Sequence, residues 1–176
     1  MKYRLGDSGA WDTAIPQATN AGTYTVWYKV VGDGNHNDTA AESVTVTIAR
    51  QNITPSVTVS GSYTYNNGNP IIPTVEVKNG GATLTAGTDY DVLVSDNTNA
   101  GTGKVTVKER ADSNYTFTEV HKTFSIGMAN QATLTVTGGT SVVYGETLTL
   151  GTSGGSGTGA VTYTVTDVTG KATITG

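Results

Sequence analysis

Carboxylate and amide side chains cluster in one short stretch of the chain, residues 33–38, and are the first candidates for chemistry. The order Asp-Gly-Asn-His-Asn-Asp puts oxygen ligands at Asp33, Asn35, Asn37 and Asp38. Alternating oxygen ligands also begin the helix-flanked calcium loop, but that loop needs a glycine at its sixth position and a bidentate glutamate at its twelfth. Here the sixth position is Asp38 and the twelfth is Val44. A turn between strands is therefore preferred, and metal binding by these four residues is the weaker alternative.

Catalytic groups are scarce. Asp89 and Asp91 could act as paired carboxylates in general acid–base chemistry, but no cluster of aromatic residues around them predicts a sugar cleft. The chain has two histidines and no cysteine, which leaves little for nucleophilic catalysis and excludes thiolate metal sites. The glycine-rich segment 151–159 is followed by neither a Lys-Ser nor a Lys-Thr pair, so we expect a loop and no phosphate site. We predict no catalytic residue, no cofactor and no enzyme activity.

Two tryptophans, Trp11 and Trp27, are the weak candidates for ligand binding, because an exposed indole can stack on a sugar ring. Trp27 falls on the strand face opposite Tyr24, Val26 and Tyr28. The equivalent position in the internal repeat described below is a threonine, so the feature is not repeated. Packing is the preferred role for both indoles.

Composition limits the class of partner. Of the 176 residues, 34 are threonine and 23 are glycine, and only 14% are charged, against about 25% in an average soluble domain. The net charge is −4, which argues against nucleic-acid binding because that requires a basic surface. No apolar run approaches the roughly 18 residues that span a bilayer, so we expect no membrane insertion.

Alternation of apolar and polar residues predicts the fold class. In residues 23–31 the apolar side chains fall at every second position, and the same pattern recurs down to Val161, Tyr163 and Val165. Period-two patterns rich in β-branched residues are typical of half-buried strands. We predict an all-β chain of antiparallel strands without significant helix.

A repeat of about 78 residues runs through the chain and suggests its organisation. Asn-Ala-Gly-Thr at residues 20–23 recurs at residues 99–102, and later apolar strand positions align with similar offsets. Residues 51–127 are predicted to form one complete module. Residues 1–50 match only the C-terminal part of such a module, and residues 128–176 match only its N-terminal part.

Partial modules have a physical consequence. Half of a β-sandwich exposes an apolar face and open strand edges, which favour pairing with another chain. Because the two partial modules are complementary in content, head-to-tail self-association is one expectation. Folding as truncated sheets is the alternative.

Several motifs together resemble a known family. The runs at residues 20–30 and 32–38, the Gly-Thr-Asp-Tyr of residues 87–90 and the Val-Tyr-Gly-Glu of residues 143–146 are similar to immunoglobulin-like tandem repeats. Such repeats occur in large, adhesin-type surface proteins of Gram-positive bacteria. The resemblance implies tandem immunoglobulin-like β-sandwich modules located extracellularly, at the cell surface or attached to the cell wall, although the sequence shows neither a signal peptide nor an anchoring motif.

The expected function is therefore a non-catalytic stalk or adhesive region whose partner would be a host or cell-wall glycan or protein. The alternative is a carbohydrate-binding accessory module of a secreted glycoside hydrolase.

Overall fold

The computed structural model describes residues 1–166. Within that range the chain forms strands and no helix, which confirms the all-β prediction. The strands are β1 (Lys2–Leu5), β2 (Gly22–Lys29), β3 (Glu42–Ile48), β4 (Gln51–Asn52), β5 (Ser56–Ser60), β6 (Tyr63–Thr64), β7 (Thr74–Asn79), β8 (Ala82–Thr83), β9 (Tyr90–Ser95), β10 (Gly101–Glu109), β11 (Tyr115–Thr116), β12 (Val120–Gly127), β13 (Leu134–Gly138) and β14 (Leu150–Gly154).

The chain divides into two compact units, the first ending at Met128 and the second starting at Ala129. In the first unit the sheets have the strand orders β1-β2-β3, β5-β7-β8, β6-β12-β10-β9 and β11-β4. In the second unit β13 and β14 form a two-stranded antiparallel sheet.

The buried core of the first unit lies within residues 53–126. The β5-β7-β8 sheet supplies Val57 and Val77, and the β6-β12-β10-β9 sheet supplies Val105, Val107 and other buried side chains of the same cluster. Two sheets that enclose one apolar core are consistent with a β-sandwich. Val77, Val105 and Val107 are completely buried, so these two sheets enclose the most buried part of the unit.

Strand pairing is mostly antiparallel, as predicted, with two exceptions. β4 pairs in parallel with β11, and β6 pairs in parallel with β12. The prediction of only antiparallel strands was wrong at these two places. Both pairings join a short strand near the start of residues 51–127 to a strand near their end, which local alternation in the sequence does not reveal.

The internal repeat is visible in the strand register. Gly22 lies opposite Ile48 in the β2–β3 pair. Gly101, which is 79 positions after Gly22, lies opposite Ile126, which is 78 positions after Ile48. The two strand pairs therefore have the same register, so β2 and β3 are the structural equivalents of β10 and β12.

The same equivalence links the two compact units. Val57 lies opposite Val77 in the β5–β7 pair, and Leu134 lies opposite Gly154 in the β13–β14 pair. Each residue of the second pair is 77 positions after its counterpart. The β13–β14 hairpin is therefore built on the plan of β5–β7.

Two expectations near the C-terminus were wrong. Residues 161–166 form no strand, although Val161, Tyr163 and Val165 alternate, because alternation alone does not provide a neighbouring strand for the ladder. The first four residues of the glycine-rich segment, 151–154, lie in β14 rather than in a loop. Gly154 fits there because a Cβ at this position would lie 2.1 Å from the carbonyl oxygen of Thr133.

Arg50 connects the segment after β3 to the loop that follows β10. Its guanidinium group donates hydrogen bonds to the carbonyl oxygens of Arg110 at 2.5 Å and Ser113 at 3.1 Å, and also to that of Tyr115. It pairs with the carboxylate of Glu109 at 3.2 Å. The side chain is half-buried, so these bonds are partly shielded from solvent and tie residue 50 to the loop between β10 and β11.

A large and a small side chain exchange places between the two repeats, and this exchange provides a test of how the core packs. A Cβ on Gly103 would lie 2.4 Å from the Phe124 ring, and the two residues face each other in the β10–β12 pair. At the equivalent positions of β2 and β3, Tyr24 faces Val46. The large side chain is thus carried by opposite strands in the two repeats.

We predict that Gly103→Ala lowers the free energy of unfolding by about 1–3 kcal/mol, because it overpacks the core. In a Phe124→Val background the same substitution should cost at least about 1 kcal/mol less, since the ring is gone. Urea denaturation of the four proteins of this cycle measures the coupling. Thr102→Ala, on the opposite face of the strand, is the control, and an equal cost of Gly103→Ala in both backgrounds would contradict the proposed packing.

Candidate functional site

One face of the β1-β2-β3 sheet is apolar and uncovered. Its residues belong to all three strands and to the segment 15–19, which borders the face. Together they line an open groove of about 560 Å³: Tyr3, Leu5, Ile15, Pro16, Gln17, Ala18, Thr19, Tyr24, Val26, Tyr28, Val44, Val46 and Ile48. We refer to this set as the N-terminal groove.

The equivalent face in the complete sandwich is buried. Val105 is 0% exposed and Phe124 is 8% exposed. Their equivalents in the N-terminal groove are Val26, which is half-buried, and Val46, which is 45% exposed. Within residues 1–128, the same strands in the same register therefore have a cover in one repeat and none in the other.

The chemistry available in the N-terminal groove is apolar contact. No charged residue lines it, so it offers neither an acid nor a base nor an anchor for a charged ligand. Contiguous apolar patches on a protein surface mark places where another apolar surface binds.

The structure brings the two candidate tryptophans together on the opposite face of the same sheet. The Arg4 guanidinium carbon lies 4.9 Å from the ring centre of Trp11 and 5.4 Å from that of Trp27. Lys29 lies 5.2 Å from the Trp11 ring centre, and the Trp27 indole N–H donates to Asp7 at 2.8 Å. Cation–π contacts therefore engage both rings and stabilise the segment that follows β1.

Arg4 is the residue that sequence reasoning missed in this cluster. Nothing in the spacing of Arg4, Trp11 and Trp27 indicates the contact, because Trp11 lies in a segment of irregular structure. In the structure Arg4 faces Trp27 across the β1–β2 pair, and this pair was not predicted from the sequence.

The stretch 33–38 forms a turn, and its carboxylates are occupied by local hydrogen bonds. Asp33 accepts from the Asn35 N–H at 2.8 Å and contacts His36 at 2.9 Å. Asp38 accepts from the Lys29 ammonium at 2.7 Å and from the Gly32 N–H at 2.9 Å. These contacts fit the turn that the sequence favoured.

Asn37, the fourth candidate of this stretch, is exposed beside these residues. The part of the chain that the structure describes contains no group of three or more histidine, aspartate or glutamate residues placed to hold a metal ion.

The paired carboxylates considered for catalysis are also engaged in the fold. Asp89 accepts from the Thr85 N–H at 2.8 Å, which closes the turn before β9. Asp91 pairs with Arg110 at 2.9 Å, which joins β9 to the loop after β10. Each carboxylate therefore has a structural partner.

Comparison with known proteins gives no relative. No family model, no curated protein and no solved structure matches the chain. Among residues 1–166 there is also no helix with the length and apolar character needed to cross a membrane.

The turn at residues 33–38 yields a prediction about ionisation. The hydrogen bond from Lys29, followed by that from the Gly32 N–H, holds the pKa of Asp38 below its ordinary value of 3.8. A depressed carboxyl pKa stabilises the fold above the unfolded-state pKa, and this contribution is lost as the pH falls through the folded-state pKa. We predict that Lys29→Met raises the pKa of Asp38 towards 3.8.

Titration followed by NMR measures this shift. The internal control is Asp33, whose pKa is lowered first by the Asn35 N–H and then by His36, and it should not move in the same variant. An unchanged Asp38 pKa would show that the Lys29 contact does not form in solution.

Proposed function

We propose that this chain is part of a tandem array of immunoglobulin-like β-sandwich modules that serves as a non-catalytic stalk or adhesive region of a bacterial cell-surface protein. Residues 51–127 would be a complete module, residues 1–50 the C-terminal part of the preceding one and residues 128–176 the N-terminal part of the next. The extracellular location follows from the family resemblance of the repeats.

The observation that carries this proposal is the repeated strand register. The β2–β3 pair has the register of β10–β12, and the β13–β14 pair has the register of β5–β7. A structural unit that recurs along the chain in the same order is the property of a repeat array.

Contacts between the first two repeats support a stalk. The Asn114 side chain accepts from the Ala21 N–H at 2.7 Å and donates to the Asn20 side chain at 3.1 Å. These bonds lie on the same loop region that Arg50 holds through Ser113. These attachments restrict rotation between the first two repeats, which favours a stiff connection.

The parallel strand pairs support a role under tension. If force pulls at both ends of residues 51–127, the chain before β6 is drawn one way and the chain after β12 the other way. Because β6 and β12 run parallel, their hydrogen bonds are stretched along the strands, and all of them resist together. The Tyr65 N–H, which donates to the Gly127 carbonyl oxygen at 2.8 Å, lies at this point.

The alternative, a carbohydrate-binding accessory module, would need indole ring faces that are free to stack on a sugar. Arg4 already lies over both Trp11 and Trp27, so cation–π contacts use the surface that a sugar ring would need. This arrangement favours a packing role for the two tryptophans. It therefore favours the stalk over the carbohydrate-binding module.

Force spectroscopy tests the mechanical role. A single chain pulled at its ends should show one discrete event that releases about 25 nm, the extended length expected for the 77 residues from 51 to 127 at about 3.3–3.6 Å per residue. Tyr65→Pro should lower the force of this event because it removes the hydrogen bond to Gly127.

Tyr65→Ala is the matched control, because it removes the same side chain and keeps the backbone N–H. If the two variants unfold at the same force, the β6–β12 pair does not carry the load. If no event of this length appears, residues 51–127 are not a mechanical unit and the stalk proposal fails.

A further inference from the structure

We propose that the N-terminal groove binds the β13–β14 hairpin of a second copy of this chain, so that the hairpin completes the sandwich begun by β1, β2 and β3. The inference rests on the repeat organisation used in the proposed function. In an array such a groove would be covered by the equivalent hairpin of the preceding segment, and here a second copy of the chain supplies that hairpin.

The complete sandwich supplies the template. There β5 and β7 cover the apolar face of β10 and β12, with Val57 and Val77 in the same buried cluster as Phe124 and Ile126. The N-terminal groove is formed on β2 and β3, the equivalents of β10 and β12. Its missing cover must therefore resemble β5 and β7.

The β13–β14 hairpin has the features of this cover. It has the same register as β5–β7, and its apolar side chains are free: Leu134 is 48% and Val136 60% exposed. These two residues are the counterparts of Val57, which is buried, and Val59, which is partly buried. The hairpin thus presents in solvent the residues that its equivalent buries.

Side-chain sizes on the two surfaces are complementary. Tyr24 and Val46 take the places of Gly103 and Phe124, which exchanges a large and a small side chain within one pair. Tyr28 in place of Val107 then makes the N-terminal groove bulkier than its template. The hairpin is correspondingly smaller, because Gly154 replaces Val77. Close packing needs the total volume to be conserved, and these changes act in opposite directions.

The edge of β3 provides a second point of attachment. In the template, Tyr63 of β6 pairs with Ile126 at the end of β12. The matching edge position in the groove is Ile48, and no strand among residues 1–166 pairs with β3 on that side. The repeat alignment places Val142 and Val143 where β6 would be, and both are exposed, so they can add a short parallel strand by β-augmentation.

Charge does not oppose the contact. No charged residue lines the N-terminal groove, and neither β13 nor β14 contains one. Glu42, on the same face of β3 as Val44, accepts a hydrogen bond from the Tyr28 hydroxyl at 3.0 Å, so the carboxylate at the end of the groove has a partner.

The geometry also fixes the kind of assembly. The groove and the hairpin are different surfaces of the same chain, so the contact is heterologous and each bound copy still has one free groove and one free hairpin. Association of this type continues beyond the dimer unless a ring closes.

The test uses the full chain and two blocking variants. Val46→Lys puts a charge into the groove and leaves the hairpin intact, whereas Val136→Lys blocks the hairpin and leaves the groove intact. Analytical ultracentrifugation should show the unmodified chain growing beyond dimers with concentration. Each variant alone should associate at least about tenfold more weakly. An equimolar mixture should form a 1:1 complex that does not grow, because its remaining groove and hairpin are both blocked.

Matched controls have the same charge on the outer faces of the same strands. Thr45→Lys and Thr135→Lys should associate as the unmodified chain does. Formation of the mixed complex also shows that both variants are folded, since each must present one working surface. Val46→Ala is a milder second variant that can be used if Val46→Lys does not fold.

Three outcomes would overturn the proposal. The unmodified chain could stay monomeric at all concentrations, either variant could self-associate as well as the parent, or the mixture could contain no 1:1 complex. None of them would change the force at which residues 51–127 unfold, so this inference can fail while the stalk proposal stands.

Discussion

The apolar face of a β-sheet must be covered by other apolar side chains, and the organisation of this protein depends on how that requirement is met along the chain. Within residues 53–126 two sheets cover each other, and Val77, Val105 and Val107 are completely buried. The β1-β2-β3 sheet has the same kind of face without a cover. Apolar burial is the main driving force of folding, so residues 53–126 are stabilised mainly by their core, whereas the β1-β2-β3 sheet relies more on polar contacts at its margins.

Those polar contacts explain how the uncovered sheet is held. Arg50 connects it to the carbonyl oxygens of residues 110–115, and Asn114 connects it through Asn20 and Ala21. On the outer face Arg4 lies over both tryptophans. A chain with only 14% charged residues thus uses several of its few arginines and lysines to fix strands and loops, which suits a protein whose proposed role is to keep a shape.

Much of the fold could be predicted from the sequence because strand alternation and repeat spacing are local properties. Alternation predicts the strands β2, β3, β10 and β12, and the repeat spacing predicts that β2 and β3 are equivalent to β10 and β12. The parallel pairing of β6 with β12 could not be predicted, since it joins residues about 60 positions apart that show no shared pattern. The Arg4 cluster was missed for the same reason. At residues 161–166 the error is the opposite one: alternation predicted a strand, but these residues form none.

Hydrogen exchange at two equivalent amides tests the central claim most directly, namely that one repeat has a cover and the other has none. Val26 and Val105 occupy the same position in the middle strand of their sheets, so both amides lie within a ladder. At concentrations low enough to keep the chain monomeric, the account predicts that the Val105 amide exchanges at least about tenfold more slowly than that of Val26. Equal protection of the two amides would contradict it.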